Sequence, residues 1–139
     1  MSPVDAQLLA EKASAIERHL GRVADKVPQS PGDLLPMSDA ADAVILHLWQ
    51  ATQIAIDLAL AACVQLNLGT PGSYAEAFEK LERAGHLPAD LARNLVRATG
   101  FRNLVAHAYE RVDLGRVHAA AKNGPADLRR LLGHLRDLT

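Results

Sequence analysis

One segment decides the fold of this chain: residues 39–66, DAADAVILHLWQATQIAIDLALAACVQL. Ser38 or Asp39 before it is a good N-cap, which predicts a helix that begins there. Its large apolar side chains cover more than one face of that helix: Val44, Ile45, Leu48, Trp49, Ile56, Leu60 and Val64. A long helix that is apolar nearly all round is usually buried against several others. The segment therefore predicts the central helix of the fold.

Four more helices are predicted around this one, separated by loops rich in proline and glycine. The first carries apolar residues at alternating spacings of four and three, which is typical of a bundle seam. Ser73 and Glu76 form a capping-box pattern at the start of the third, and Pro88 stands at the first helical position of the fourth. Asp113 caps the fifth, which Asn123-Gly124-Pro125 is expected to break or bend. The five predicted ranges are 4–26, 38–66, 73–85, 88 to 110 or 111, and 113–138.

Composition agrees with a helical protein. The 139 residues are enough for one domain with a proper core, and we expect a single domain over 1–139. Apolar residues make up 49% but aromatic residues only 4%, so Leu, Ala, Val and Ile fill the interior. The net charge is −1, which is not typical of a general nucleic-acid binder.

The charge is unevenly distributed along the chain. Residues 1–79 hold 4 basic and 10 acidic side chains, a net −6, whereas residues 80–139 hold 11 and 6, a net +5. A basic C-terminal half suits an anionic ligand. Two complementary surfaces that attract within the fold or between subunits explain the same asymmetry, and both interpretations stay open.

The sequence also predicts a cytoplasmic protein. Cys63 is the only cysteine, so no intrachain disulfide is possible. The N-terminus lacks the basic-then-apolar order of a signal peptide. The longest apolar run, residues 54–64, is interrupted by Asp57 and is too short to span a bilayer.

The chemistry-bearing stretch is residues 101–111, FRNLVAHAYER, near the end of the fourth predicted helix. At 100° per residue its apolar side chains form one stripe, and the other face displays Arg102, Asn103, His107 and Tyr109. Asn103 and His107 are four apart and share a face. Arg102 and His107 are five apart, which separates them by about 140° and about 7.5 Å of rise. One small group touches both only if the Arg side chain bends back, or if a second copy of the helix contributes.

A carboxylate in the central helix raises a separate question. Asp57 lies among Ile54, Ile56, Leu58 and Leu60, where an unpaired buried charge is costly. A cation of the basic half is one expected partner, with Arg102 as the candidate, which would make Asp57 a possible second-layer site residue. The alternative is that Asp57 faces water on the narrow polar side of the helix, beside Gln50 and Gln53.

The residues of the stretch suit phosphate chemistry. His107 has the one side chain there with an ordinary pKa near neutrality, about 6.5, and Arg102 presents a fork of donors that matches phosphate oxygens. No His/Cys cluster at metal-ligand spacing and no glycine-rich phosphate loop accompanies them, so we expect no metal and no cofactor. In this hypothesis His107 takes the 2′-OH proton of RNA or returns one to the leaving 5′ oxygen, Arg102 stabilises the charged phosphorus centre, and Asn103 orients either group. The products are a 2′,3′-cyclic phosphate and a free 5′-OH. The alternative is a solvated helix face with no substrate.

The pattern Arg102-x4-His107-x-Tyr109 resembles the R-x4-H-x-Y motif of the HEPN superfamily, and specifically the HepT-like toxins. The resemblance covers most of residues 40–139. It implies an all-α, up-and-down bundle of about five helices that forms a homodimer, with two motif helices lining one cleft. It also implies a metal-independent endoribonuclease toxin with Arg102 and His107 in its active site.

The same resemblance implies a partner and a control mechanism. HepT-like toxins belong to type II or adenylylation-controlled toxin–antitoxin systems, in which a small nucleotidyltransferase of the MNT family is the antitoxin. It is thought to transfer AMP onto the motif tyrosine, here Tyr109, so that phosphate occupies Arg102 and blocks RNA. Two alternatives stay open: a non-catalytic HEPN subunit that offers that enzyme a nucleotide-binding or docking surface, and a purely structural helical dimer.

Overall fold

The chain folds as five α-helices in the computed structural model, which describes residues 4–139. Residues 1–3 lie outside this range, so the part of the expected domain and of the N-terminal segment that falls on them is not described. Two short 3₁₀ turns, Pro31–Asp33 and Tyr109–Arg111, lie in the connections, and no strand occurs within the described range. The prediction of an all-α fold is confirmed. The helices are α1 Ala6–Lys26, α2 Asp39–Gln65, α3 Tyr74–Arg83, α4 Ala89–His107 and α5 Leu114–Arg136.

The central position of α2 is also confirmed. This helix packs against all four other helices, and twelve of its side chains are buried. Ala51, Ala55 and Ala59 follow at four-residue spacing and are at most 1% exposed. Small side chains on one face allow neighbouring helices to approach closely. The predicted seam of α1 is buried as well, through Leu9, Ile16, Leu20 and Val23.

By length and composition alone, α2 is apolar enough to cross a membrane. Half of the most apolar 18-residue segment of α2 is buried inside the described chain. The core helix of a soluble protein passes the same test, so this observation is weak evidence for a membrane span.

Side-chain caps fix where the helices begin. Ser38 accepts a hydrogen bond from the backbone N–H of Ala41, as the sequence predicts. Ser73 accepts one from Glu76, while the Glu76 carboxylate accepts the N–H of Gly72 at 3.0 Å. This cap places Tyr74 at the first position of α3. Asp113 caps α5 through the N–H groups of Gly115 and Arg116.

One predicted boundary is wrong, and one predicted break does not occur. The fourth helix ends at His107 and not at residue 110 or 111, because Ala108 leaves the helical region with φ −150° and ψ 53°. The fifth helix runs unbroken from Leu114 to Arg136 through Pro125, so residues 123–125 do not end it. Proline removes one backbone donor, and burial of Leu128, Leu131 and Leu132 on the following turns keeps the chain helical.

Candidate active site

Arg102 is held in a fixed position on α4 by side chains of two other helices. Its Nε donates a hydrogen bond to Oε1 of Gln53 at 2.5 Å, and its Nη1 donates to Oδ1 of Asn103 at 3.1 Å. The guanidinium carbon lies 5.8 Å from the ring centroid of Trp49 and 5.1 Å from that of Tyr74. Such distances are typical of cation–π contacts. The guanidinium is therefore oriented and half-buried.

The charge of Arg102 is not neutralised within residues 4–139. No carboxylate lies within salt-bridge distance of its guanidinium. Its two hydrogen bonds use two of the five N–H donors of an arginine side chain. Three donors on Nη1 and Nη2 remain for a ligand, and their fork geometry matches a phosphate group.

Gln53 stands between Arg102 and Asp57. Its Nε2 donates to Oδ1 of Asp57 at 2.9 Å while its Oε1 accepts from Arg102. Asp57 is exposed, so it faces water beside Gln53, and the expected ion pair between Asp57 and Arg102 does not form. The physical reason is that an exposed carboxylate is already stabilised by water, so an ion pair with Arg102 would add little stability. Asp57 reaches the site only through the Gln53 amide.

His107 is the last residue of α4, and its side chain is exposed. It forms no side-chain hydrogen bond or ion pair with the part of the chain that the structure describes. Asn103, one turn earlier, is exposed too. Because Arg102 and His107 lie on one continuous helix, the expected offset of about 140° and about 7.5 Å between their backbone positions holds. The contacts of Arg102 direct its side chain toward α2 and α3.

Tyr109 does not lie on the motif helix. It opens the 3₁₀ turn Tyr109–Arg111, and its hydroxyl donates a hydrogen bond to Oδ1 of Asp42 on α2 at 2.6 Å. Partial burial, followed by that hydrogen bond and the charge of Asp42, raises the pKa of Tyr109 to about 12. The residue nevertheless stays 46% exposed. The phenol is therefore neutral, anchored and accessible.

The residues that hold the motif side chains lie on one face of α2. Asp42, Trp49 and Gln53 are separated by seven and four residues, which places them within about 40° of arc. The sequence did not indicate Asp42, Trp49, Gln53 or Tyr74 as site residues. The available signal was the polar positions that recur on one side of an otherwise apolar helix. We call this face, residues 42, 49, 53 and 57, the polar strip of α2.

The strip also separates two parts of the site. Asp42, which holds Tyr109, and Trp49, which contacts Arg102, are seven residues or about 10.5 Å apart along the helix. The structure brings Arg102 and Asn103 together, and it does not bring the Tyr109 hydroxyl to Arg102.

Two cavities lie near the motif helix. The larger, about 460 Å³, is formed between α2, α4 and α5 and reaches Phe101, on the apolar stripe of the motif stretch. The smaller, about 190 Å³, is lined by His19, Trp49, Gln50, Gln53 and Ile54. The smaller one shares Trp49 and Gln53 with the surroundings of Arg102. No group of three or more His, Cys, Asp or Glu side chains suited to a metal ion occurs among residues 4–139.

A family model described as Ribonuclease HepT-like matches residues 11–135, which is most of the chain. The chain belongs to the HepT-like family. The family resemblance that the motif suggested is thereby confirmed. The mRNA nuclease HepT of Shewanella oneidensis is 33% identical over 73 residues, which are 52% of this chain and 55% of that protein. The match thus spans about half the length of this relative.

Solved structures of toxin–antitoxin proteins share the fold. The tri-AMPylated HEPN toxin of Shewanella oneidensis, in complex with an MNT antitoxin, superposes with a TM-score of 0.86 at 23% identity, over 96% of this chain and 99% of that one. A toxin–antitoxin structure with AMP-PNP gives 0.85 at 23% identity, over 94% and 98%. At this identity the likeness establishes the HEPN fold of the HepT-like chain.

The Tyr109–Asp42 hydrogen bond makes a testable prediction. In an ultraviolet titration of the folded protein, Tyr109 should ionise near pH 12, because the raised pKa favours the neutral phenol. Asp42→Asn removes the negative charge and should move this ionisation down toward the ordinary value of about 10. Tyr109→Phe identifies the transition by removing it. An unchanged titration of Tyr109 in Asp42→Asn would contradict the assignment.

Proposed function

We propose that this HepT-like protein is a metal-independent endoribonuclease toxin, acting on RNA in the cytoplasm as a single domain. One observation carries the proposal: Arg102 is an oriented cation with open donors, on the same helix as the exposed imidazole of His107. A phosphate-binding group and a proton-transfer group are the two requirements for RNA cleavage by its own 2′-OH.

Arg102 binds the scissile phosphate and stabilises its transition state. Its Nη donors face the non-bridging oxygens, on which negative charge accumulates as phosphorus becomes pentacoordinate. Gln53, Trp49 and Tyr74 fix the direction of the guanidinium before substrate arrives. Asn103 accepts a hydrogen bond from Arg102 and lies one turn from His107, so it positions the two groups relative to each other.

His107 transfers the proton. As a neutral imidazole it removes the proton of the 2′-OH, whose oxygen attacks phosphorus and forms the 2′,3′-cyclic phosphate. The bond to the 5′ oxygen breaks, and that oxygen takes a proton from an imidazolium. The products are a cyclic phosphate end and a free 5′-OH, and no metal ion enters the balance.

The site is shared between two subunits. Arg102 is directed toward α2 and α3, while His107 projects from the end of α4 about 140° away around the helix. One phosphate therefore meets Arg102 of one protomer and the His107 of its partner more easily than both from one chain. The proposed unit is a homodimer with the two motif helices lining one cleft.

Tyr109 is the proposed site of control by an MNT-type nucleotidyltransferase antitoxin. Its phenol oxygen attacks the α-phosphate of ATP, pyrophosphate leaves, and Asp42 is in place to accept the phenol proton. The related toxin that is tri-AMPylated and bound to an MNT antitoxin supports this proposal. Modification leaves the oxygen without its proton and adds a negative phosphate beside the Asp42 carboxylate, which repels it.

The position of Tyr109 changes how inhibition is explained. A phosphate bonded directly to Tyr109 lies beside Asp42, about 10.5 Å along α2 from the level of Trp49. We therefore propose that the phosphate of this AMP lies beside Asp42 and not against Arg102, which differs from what the resemblance implied. The AMP detaches the turn from α2 and fills the approach to the cleft.

The first test is cleavage of single-stranded RNA by the purified protein in EDTA. Arg102→Ala should lower the rate by roughly 10²–10³-fold, through loss of charge stabilisation. His107→Ala should lower it by roughly 10²–10⁴-fold, through loss of proton transfer. The exposed Arg93→Ala on the same helix is the matched control and should retain full activity. Product ends are identified by mass spectrometry.

Phosphodiesterase treatment before this assay removes any AMP already attached. RNA left intact by every treated form would reject the ribonuclease and favour the non-catalytic docking subunit. Cleavage that requires an added divalent ion would contradict metal independence.

The shared site is tested by complementation. Arg102→Ala and His107→Ala chains, each inactive alone, should regain up to about half of wild-type activity when they are mixed into heterodimers. The reason is that one cleft then contains an intact Arg102 and an intact His107 from different chains. No recovery in heterodimers verified by native mass spectrometry would place both groups of a site in one chain.

Control at Tyr109 is tested with an MNT-type nucleotidyltransferase and ATP. The wild-type chain should gain adenylyl mass and lose RNA cleavage, whereas Tyr109→Phe should gain no mass and stay active. Tyr74→Phe is the matched control and should still be modified. Adenylyl groups found on another residue by peptide mapping would overturn the assignment.

A further inference from the structure

We propose that the cavity between α1 and α2 beside Arg102 is a subsite for one nucleobase of the RNA strand. This inference rests on the proposed ribonuclease function and deepens it. The cavity is a shallow depression, widely open to solvent, with a volume of about 190 Å³, and it is lined by His19 of α1 and by Trp49, Gln50, Gln53 and Ile54 of α2.

The cavity adjoins the proposed phosphate site. Trp49 and Gln53 line it, and the same two side chains contact the Arg102 guanidinium. A nucleotide whose phosphate is bound by Arg102 therefore has its base within reach of the cavity.

Size and lining favour a single flat ring system. The volume equals that of about six water molecules in the liquid. It is smaller than the roughly 300 Å³ at which pockets for drug-sized ligands begin. Two aromatic rings from different helices, His19 and Trp49, line it. Proteins recognise single-stranded RNA by stacking its bases on such rings.

One polar side chain that lines the cavity lacks a partner. The half-buried amide of Gln50 forms no side-chain hydrogen bond with the described chain, whereas both ends of the Gln53 amide are engaged. A base edge supplies an acceptor and a donor for the Gln50 amide.

His19 is suited to stacking because its ring is fixed. Its Nδ1 lies 3.1 Å from Nδ1 of His47, and the two ring centroids are 5.3 Å apart. Burial, followed by the charges of His47, Arg18 and Arg22, holds the pKa of His19 below its ordinary value. The ring therefore stays neutral at neutral pH.

Trp49 reports on the cavity directly, since it is the only tryptophan of the chain. The probe is a short single strand of 2′-O-methylated RNA, which lacks the nucleophile and stays intact with the wild-type protein. We expect saturable quenching of Trp49 emission by this strand. An abasic strand of equal length, which keeps the phosphates, should bind Arg102 without the same quenching.

Variants separate stacking from base-edge contacts. His19→Ala should weaken binding of the 2′-O-methylated strand roughly tenfold through lost stacking. Gln50→Ala should weaken it about fivefold through a lost hydrogen bond. Gln29→Ala, at an exposed glutamine in the loop after α1, is the matched control and should bind normally. Circular dichroism verifies that each variant is folded.

The outcomes distinguish this inference from the proposed function. RNA cleavage with equal quenching by both strands, or with unchanged binding by His19→Ala and Gln50→Ala, overturns the subsite and leaves the ribonuclease in place. Base-dependent quenching without cleavage supports the subsite and rejects the ribonuclease. Emission that changes only on dimer formation, with no further effect of RNA, means that the partner subunit covers the cavity, and it also overturns the subsite.

Discussion

Burial of α2 on nearly all sides is the constraint on which this structure depends. Twelve of its side chains are removed from water, and four helices are needed to cover them. Burial of apolar area is the dominant favourable contribution to folding, so the positions of α1, α3, α4 and α5 follow from it. The polar strip is part of the α2 surface that remains uncovered, together with the exposed Leu46 and Val64, and Arg102 of α4 and Tyr109 of the following turn contact α2 along this strip.

The contact between Arg102 and Gln53 explains how the site keeps its charge. A carboxylate at position 53 would hold the guanidinium equally well but would compete with an incoming phosphate. A neutral amide orients the cation, and its other end binds the exposed Asp57. Trp49 and Tyr74 add attraction through their ring faces without negative charge. A fixed orientation and a charge without an ion-pair partner among residues 4–139 are thereby combined in one side chain.

The sequence predicted what depends on local pattern. The central helix, the caps at Ser38, Ser73 and Asp113 and the arrangement of Arg102 and Asn103 on one helix all follow from periodicity and capping. The end of α4 was not predicted correctly, because residues 108–111 contain no proline or glycine and their pattern predicts that the helix continues. Their departure is accompanied by a hydrogen bond between Tyr109 and Asp42, 67 residues apart in the chain, which no local pattern encodes. The hydrogen bond between Arg102 and Gln53 was not predicted for the same reason, because α2 and α4 come into contact only in the folded chain.

The break at Ala108 divides the motif into two mechanical parts. Arg102 and His107 both lie on α4, where Arg102 is hydrogen-bonded to Gln53 of α2, whereas Tyr109 lies beyond the break and is hydrogen-bonded to Asp42 of α2. Ala108 therefore connects His107 to Tyr109 as a non-helical residue, so the direction of Tyr109 does not follow from the helical periodicity of α4. A shift of α4 along α2 would alter the distance between Arg102 and Tyr109, and it would also disturb the hydrogen bond between Arg102 and Gln53. In the proposed function, attachment of a nucleotide to Tyr109 and cleavage of RNA at Arg102 would therefore be coupled through the packing of α4 against α2.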